Sequence, residues 1–178
     1  MSDLIIISGP TGAGKSTQAE HLVARHNGWV HLSSGYLLRR DPAMAKALAD
    51  GKLAADDEVD RIVNDALKAN REAPMIVLDG FPRTVEQIPW LEAAMKRYDL
   101  HLRAVVKLTI FKEQSAQRLA WRHRADDNTF SIDAKWDWYQ KQTLPVIAHF
   151  EKLGLVINCD GADSVEEVGN KIDEALHV

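Results

Sequence analysis

Short apolar runs recur along the chain at Leu4 to Ser8, Trp29 to Leu32, Met75 to Leu78, Ala104 to Leu108 and Leu155 to Ile157. Each is separated from the next by at least one helix-like segment. Continuous apolar runs of this length, bounded by turn residues, suit strands buried on both faces. Five strands alternating with helices therefore predict an α/β fold, a mostly parallel five-stranded sheet covered by helices on either side.

The helical segments carry their own signals. Lys15 to Arg25 places Ala19, Leu22 and Val23 on one face. Asp56 and Asp57 open a stretch with Val59, Ile62, Val63, Ala66 and Leu67 at helical spacing, which predicts one face packed on the sheet. Thr84 with Gln87, and Ser164 with Glu167, have the spacing of capping boxes at helix starts. The second of these opens a helix with Val165, Val168, Ile172 and Leu176 inward. Pro145 should bend or break the helix it lies in. Asp41-Pro42 and Ala125 to Thr129 read as turns that set off small mobile elements.

A chain of 178 residues with 46% apolar and 27% charged side chains fits one domain, 1–178. No low-complexity tract interrupts it. The charge of −4, from 26 acidic and 22 basic residues, gives no general attraction to nucleic acid or an anionic membrane, so any anion site must be local. The run Leu4 to Ile7 is short, lacks a basic flank and leads into Ser8-Gly9-Pro10, which reads as a strand and not as a secretion signal. The single cysteine, Cys159, permits no internal disulfide and suits a reducing compartment. These features lead us to expect a cytoplasmic protein with neither a membrane nor a nucleic-acid partner.

Gly9-Pro10-Thr11-Gly12-Ala13-Gly14-Lys15-Ser16 matches the phosphate-loop pattern G-x-x-x-x-G-K-[ST] and lies between an expected strand and an expected helix. A ligand-free glycine turn would not require that setting. Glycines let the backbone amides turn inward, and the helix start adds unpaired amides and a positive dipole end. The result is a nest for a polyphosphate. Lys15 can reach the β and γ phosphates, and the Ser16 hydroxyl is the expected ligand of the Mg²⁺ that accompanies ATP. The loop names a ligand and not a reaction.

Met75 to Asp79 is an apolar strand ending in a carboxylate, a placement that sets an acid beside the metal; Asp79 could instead cap a turn with Gly80. Phe81-Pro82-Arg83 then puts an arginine on a rigid turn at the carboxyl end of a strand, where such sheets bind ligands. With this segment the chain resembles the adenylate kinase family of nucleoside monophosphate kinases. The matching runs are Gly9 to Thr17, His31 to Arg39, Gly51-Lys52-Leu53, Asp79 to Arg83 with Gln87, Arg118 to Asp127, Thr143 to Ile147, and Asp160-Gly161 with Val165 to Val168. They span nearly the whole chain, and Asp79-Gly80-Phe81-Pro82-Arg83 is the most family-specific.

The resemblance implies a three-layer P-loop fold with a monophosphate-binding insert at 34–65 and a very short lid at 118–135. It implies Mg²⁺-dependent transfer of the ATP γ-phosphoryl group to a nucleoside monophosphate, AMP favoured, by a monomer. Gly9, Gly12, Ala13, Gly14, Lys15, Ser16 and Thr17 would hold ATP with Arg118 and Arg122. Ser34, Arg39, Gly80, Arg83 and Gln87 would hold the monophosphate, Gln87 through its base. Ser16 and Asp79 would face the metal. Lys15, Arg83, Arg118, Arg122, Arg124 and Lys135 would surround the moving phosphoryl group, with Asp126 and Asp127 at the lid base. Phosphoryl transfer asks the protein mainly for alignment and charge neutralisation, which guanidinium groups supply. No nucleophilic side chain is needed. Gln87 has a second explanation as the capping partner of Thr84.

Three features depart from the family pattern. Tyr36 stands where relatives carry an aspartate, and Lys135 where they carry an arginine, losing the bidentate fork. The stretch Arg39 to Gly51 and the lid are both short, which points to slower or leakier transfer, since closing covers exclude water. A UMP/CMP-type kinase, or a nucleotide-binding regulatory protein with little or no transfer, is the alternative. The basic and aromatic stretch with Trp121, Trp136 and Trp138 could form a nucleic-acid platform. Asp126, Asp127 and the negative net charge favour core and hinge packing instead, and Trp136 and Trp138, two apart, cannot share a helix face. The seven histidines show no metal-ligand spacing and read as surface or packing residues.

Overall fold

The computed structural model describes residues 2–49, 55–122 and 132–178. Five strands, β1 (Ser2–Ser8), β2 (Val30–Ser33), β3 (Met75–Asp79), β4 (Leu100–Thr109) and β5 (Val156–Asp160), form one sheet in the order β2-β3-β1-β4-β5. Every neighbouring pair is parallel. Parallel neighbours need crossovers, and the intervening helices are α1 (Lys15–Arg25), α2 (Ser34–Arg40), α3 (Pro42–Ala49), α4 (Asp56–Ala69), α5 (Gln87–Tyr98), α6 (Lys112–Arg122), α7 (Ile132–Trp138) and α8 (Leu144–Lys152), with α9 (Val165–Leu176) following β5.

Alternation along β1 divides the core in two. Leu4 and Ile6 pack with Ile76, Leu78, Phe81, Val63 and Leu91 on one face. Ile5 and Ile7 pack with Met75, Val77, Leu22, Ile172 and Leu176 on the other. Both faces of β1 and β3 are dry, which is why these strands read as unbroken apolar runs. Deleting one such side chain, as in Ile7→Ala, is expected to cost about 2–5 kcal/mol.

Register fixes what stands at the carboxyl edge. Asp79 pairs with Ile7 of β1 on one side and Ser33 of β2 on the other. The loops that leave β1, β2 and β3 therefore begin at the same level of the sheet.

Local signals hold at several helix ends. Asp41 Oδ1 accepts from the amides of Ala43 and Met44, so Asp41-Pro42 starts α3 with proline at the position where its missing amide costs nothing. Ser164 and Glu167 form the expected capping box of α9.

Thr84 does not cap a helix. α5 starts at Gln87, and the Gln87 side chain turns to the Arg83 amide and to Asp56. The break expected at Pro145 takes the form of a π-helical turn, Tyr139–Thr143, with Pro145 then in the first turn of α8. Trp121 is not a packing residue; it is 87% exposed near the end of α6.

Candidate active site

The loop between β1 and α1 has the backbone that its glycines imply. Gly12 and Gly14 sit at φ of 75° and 92°, a region that side-chain-bearing residues rarely enter. A methyl at Gly9 would lie 2.5 Å from the Leu108 carbonyl oxygen, so that position must also stay bare. The loop is braced from outside. The Ser115 hydroxyl, buried on α6, donates to the Thr11 carbonyl at 2.8 Å. Gly161, after β5, approaches so closely that a methyl there would stand 3.0 Å from the Ala13 carbonyl oxygen.

Lys15 Nζ lies over the loop, donating to the carbonyls of Gly9 at 3.0 Å and Pro10 at 2.8 Å. Ser16 Oγ donates to Asp79 Oδ2 at 2.6 Å. His31 Nε2 stands 3.4 Å from the same oxygen. Burial opposes ionisation of Asp79, yet the hydrogen bond with His31, the charge of Lys15 and the Ser16 hydroxyl outweigh it and hold the carboxyl at about 2. A carboxylate kept ionised beside a hydroxyl is a set of hard oxygen donors, which fits Mg²⁺. Among the described residues no group of three or more His, Cys, Asp or Glu gathers as a metal cage.

A second set of groups gathers one residue further along β3. The Gly80 amide donates to the Ile7 carbonyl at 3.1 Å, so the turn after β3 is fastened to β1. The Gly80 carbonyl accepts from Ser34 Oγ at 2.8 Å and from Arg83 Nε at 2.6 Å. Arg39 folds back over the start of its own helix, within 3.3 Å of where a methyl on Gly35 would stand. Ser34, Gly80 and Arg83 are thereby brought together beside Asp79, with Arg39 over the neighbouring Gly35. Thr143 Oγ1 holds the Arg83 carbonyl at 3.2 Å from behind. Gln87 is buried, its Oε1 accepting from the Arg83 amide at 2.7 Å and its Nε2 donating to Asp56 Oδ1 at 2.6 Å.

α6 reaches the phosphate loop from the other side, with Arg118 Nη1 donating to the Gly12 carbonyl at 3.3 Å. Arg122 is the last residue of α6, and Lys135 lies on α7, which Lys112 ties to α6 through Asp133 at 2.6 Å. Arg124, Asp126 and Asp127 fall outside the described residues, as does Gly51-Lys52-Leu53.

His31, Ser115 and Asp56 join this site without having been read from the sequence as members of it. His31 is a correction to the surface-or-packing reading of the histidines, since its ring faces the Asp79 carboxylate. Local pattern could not assign them. Their partners lie 48, 104 and 31 residues away.

The adenylate kinase family model matches residues 7–155, a span that takes in both sets of groups. The chain is 36% identical to the adenylate kinase of Synechococcus sp. (strain WH7803), over 99% of this chain and 100% of that one. It is 33% identical to that of Hyphomonas neptunium over 97% of each chain. It is 35% identical to that of Prochlorococcus marinus (strain MIT 9313), over 99% of this chain and 100% of that one. The chain belongs to the adenylate kinase family.

Membership changes the weight of the departures. The Synechococcus adenylate kinase is covered completely within 184 aligned positions, so it is itself a small enzyme of this size. The short overall length of this chain is thus shared with that relative. Tyr36 is 52% exposed, and its phenol accepts from Arg40 Nη1 at 3.1 Å. Asp79 is engaged by Ser16, His31 and Lys15, not by the Tyr36 phenol.

Proposed function

We propose that this protein is an adenylate kinase that reversibly transfers the γ-phosphoryl group of ATP to AMP. The observation that carries the reading is the link between Gly80 and Ile7. It supports the reading because the Gly9 to Ser16 loop and the group of Ser34, Gly80 and Arg83 then lie at adjoining strand ends. Two phosphate-binding sets side by side suit a donor triphosphate and an acceptor monophosphate aligned for in-line transfer.

In this reading the inward amides of Gly12 to Ser16, with Thr17 in the next position of α1, bind the β and γ phosphates. Lys15 moves from the loop carbonyls to the bridging oxygens as charge develops. Arg83 and Arg39 grip the acceptor phosphate through paired guanidinium donors. Arg118, Arg122, Arg124 and Lys135 neutralise the equatorial oxygens from the lid side, and residues 34–65 and 118–135 form the two covers. Ser16 and Asp79 would hold Mg²⁺, which when bound screens the phosphate charge and orients the γ-phosphoryl group. Gln87 meets the acceptor's base, and Ser34 lines that pocket. We take the monomer as the working unit and the cytoplasm as its location, consistent with the single buried Cys159.

The test is ADP formation from ATP and Mg²⁺ with AMP, GMP, CMP, UMP or no acceptor. AMP should stimulate most, and Lys15→Ala should abolish the product. Preference for UMP or CMP would move the chain to that branch of the kinases. ATP binding without transfer to any acceptor would make it a nucleotide-binding regulator.

A further inference from the structure

Gln87 is the crosspiece between two elements. Its carboxamide has two acceptor lone pairs on Oε1 and two hydrogens on Nε2. The Arg83 amide takes one lone pair at 2.7 Å, and Asp56 Oδ1 takes one hydrogen at 2.6 Å. Asp56 stands in the first turn of α4, where the positive end of the helix favours a carboxylate, and its Oδ2 faces the Thr84 hydroxyl at 3.5 Å.

These contacts decide which way the amide points. An ionised carboxylate only accepts and a backbone N–H only donates. Turning Gln87 over would set its N–H against the Arg83 N–H and its carbonyl against the Asp56 carboxylate, both repulsive. What remains for a ligand is one lone pair on Oε1 and one hydrogen on Nε2, in a fixed order.

A base that meets this edge must offer a donor to Oε1 and an acceptor to Nε2. Adenine does so with its exocyclic amino group beside ring N1, and cytosine with its amino group beside N3. Guanine and uracil in the same pose offer a carbonyl oxygen beside a ring N–H, the reverse order. We propose that Asp56 is a specificity-determining positioning residue that locks Gln87 to accept amino-base monophosphates and reject keto-base ones. The proposal rests on the reading that Gln87 meets the acceptor's base. It separates amino from keto bases, not purines from pyrimidines.

The experiment is calorimetric binding of AMP, GMP and ATP to wild type, Asp56→Ala and Asp56→Asn, with ADP formation measured separately. Loss of the carboxylate leaves the Arg83 amide as the one contact that orients Gln87, so a reversed carboxamide becomes less costly and Asp56→Ala should reduce the AMP-over-GMP affinity ratio on the order of 10-fold. ATP affinity should be unchanged. A merely structural role would weaken AMP and GMP alike, and an unchanged ratio in Asp56→Ala overturns the proposal. So does a wild type that binds AMP and GMP equally. If Asp56→Ala does not fold, Asp56→Asn carries the test. Its amide can turn to meet a reversed Gln87, so the ratio should fall by about threefold, and an unchanged ratio is decisive against the lock. Binding of AMP without ADP formation would remove the kinase reading and leave this inference to be judged on the affinities.

Discussion

The hydroxyl of Ser16 donates to Oδ2 of Asp79 at 2.6 Å, joining the first turn of α1 to the last residue of β3. Because Ser16 is fixed by the phosphate loop and Asp79 by its pairing with Ile7, the two oxygens are set in place before any substrate arrives. Asp79→Asn keeps the shape and removes the charge. We expect turnover to fall about 10²-fold, the scale of losing one preorganised electrostatic group. The Asp79 carboxyl is held at about 2, below its ordinary 3.8, so its contribution to stability is present above the ordinary value and lost as pH falls through about 2. The stability deficit of Asp79→Asn should therefore be present at about pH 5 and shrink as pH falls toward about 2. Thermal melts of the two proteins should converge only under strong acid, and melts that already coincide at about pH 5 would contradict this assignment.

Gly80 tests the acceptor side without touching the donor loop. At φ of 75°, a methyl there would be strained and would stand 3.0 Å from Arg83 Nη2 and 3.2 Å from Ser34 Oγ. Gly80→Ala should displace the groups assigned to the monophosphate and raise the KM for AMP by about 10-fold or more, a misplacement effect. The KM for ATP should stay near wild type. Equal rises in both constants would mean that the cluster does not serve the acceptor alone.

What the sequence made legible was local. The phosphate loop and the helix Lys15 to Arg25 follow a short pattern whose residues act on one another or on a ligand, so the strand, turn and helix could be read directly. Thr84 and Gln87 have the same short spacing but a different fate. The Gln87 carboxamide binds Asp56 across 31 residues of chain, and that tertiary contact outcompetes the capping box. His31 gave no sign of its role, because its partner is visible only once β2 and β3 pair with Ser33 opposite Asp79. Trp121 departs from expectation for the opposite reason: an aromatic residue on a helix is usually buried, and here α6 turns that position to solvent.

Ser115 carries a role that spacing could not reveal. It is wholly buried, and its hydroxyl supports the phosphate loop through the Thr11 carbonyl. Ser115→Ala leaves that carbonyl without its partner, at an expected cost of about 1–3 kcal/mol in urea unfolding. A loosened loop binds phosphate less well, so the KM for ATP should rise several-fold while the KM for AMP changes little. Loss of stability without any change for ATP would reduce Ser115 to a packing residue.

Asp60 predicts a pH dependence of the opposite sign from that of Asp79. One turn beyond Asp56 on α4, its Oδ1 is buried with no hydrogen-bond partner among the described residues. Burial first, then the charges of Asp56 and Asp57, push its carboxyl up to about 6. A carboxyl raised above its ordinary value favours the fold while protonated. Its stabilisation is complete below the ordinary value of 3.8, declines between there and about 6, and is gone above that. Asp60→Asn keeps the size and removes the charge, so it should raise the melting temperature by a few degrees at pH 8. At pH 4, where Asp60 is protonated in the fold, the two proteins should melt together. A gain of equal size at both values would show that removal of the charge is not its cause, and the absence of any gain at pH 8 would mean that the ionised carboxylate is tolerated where it stands.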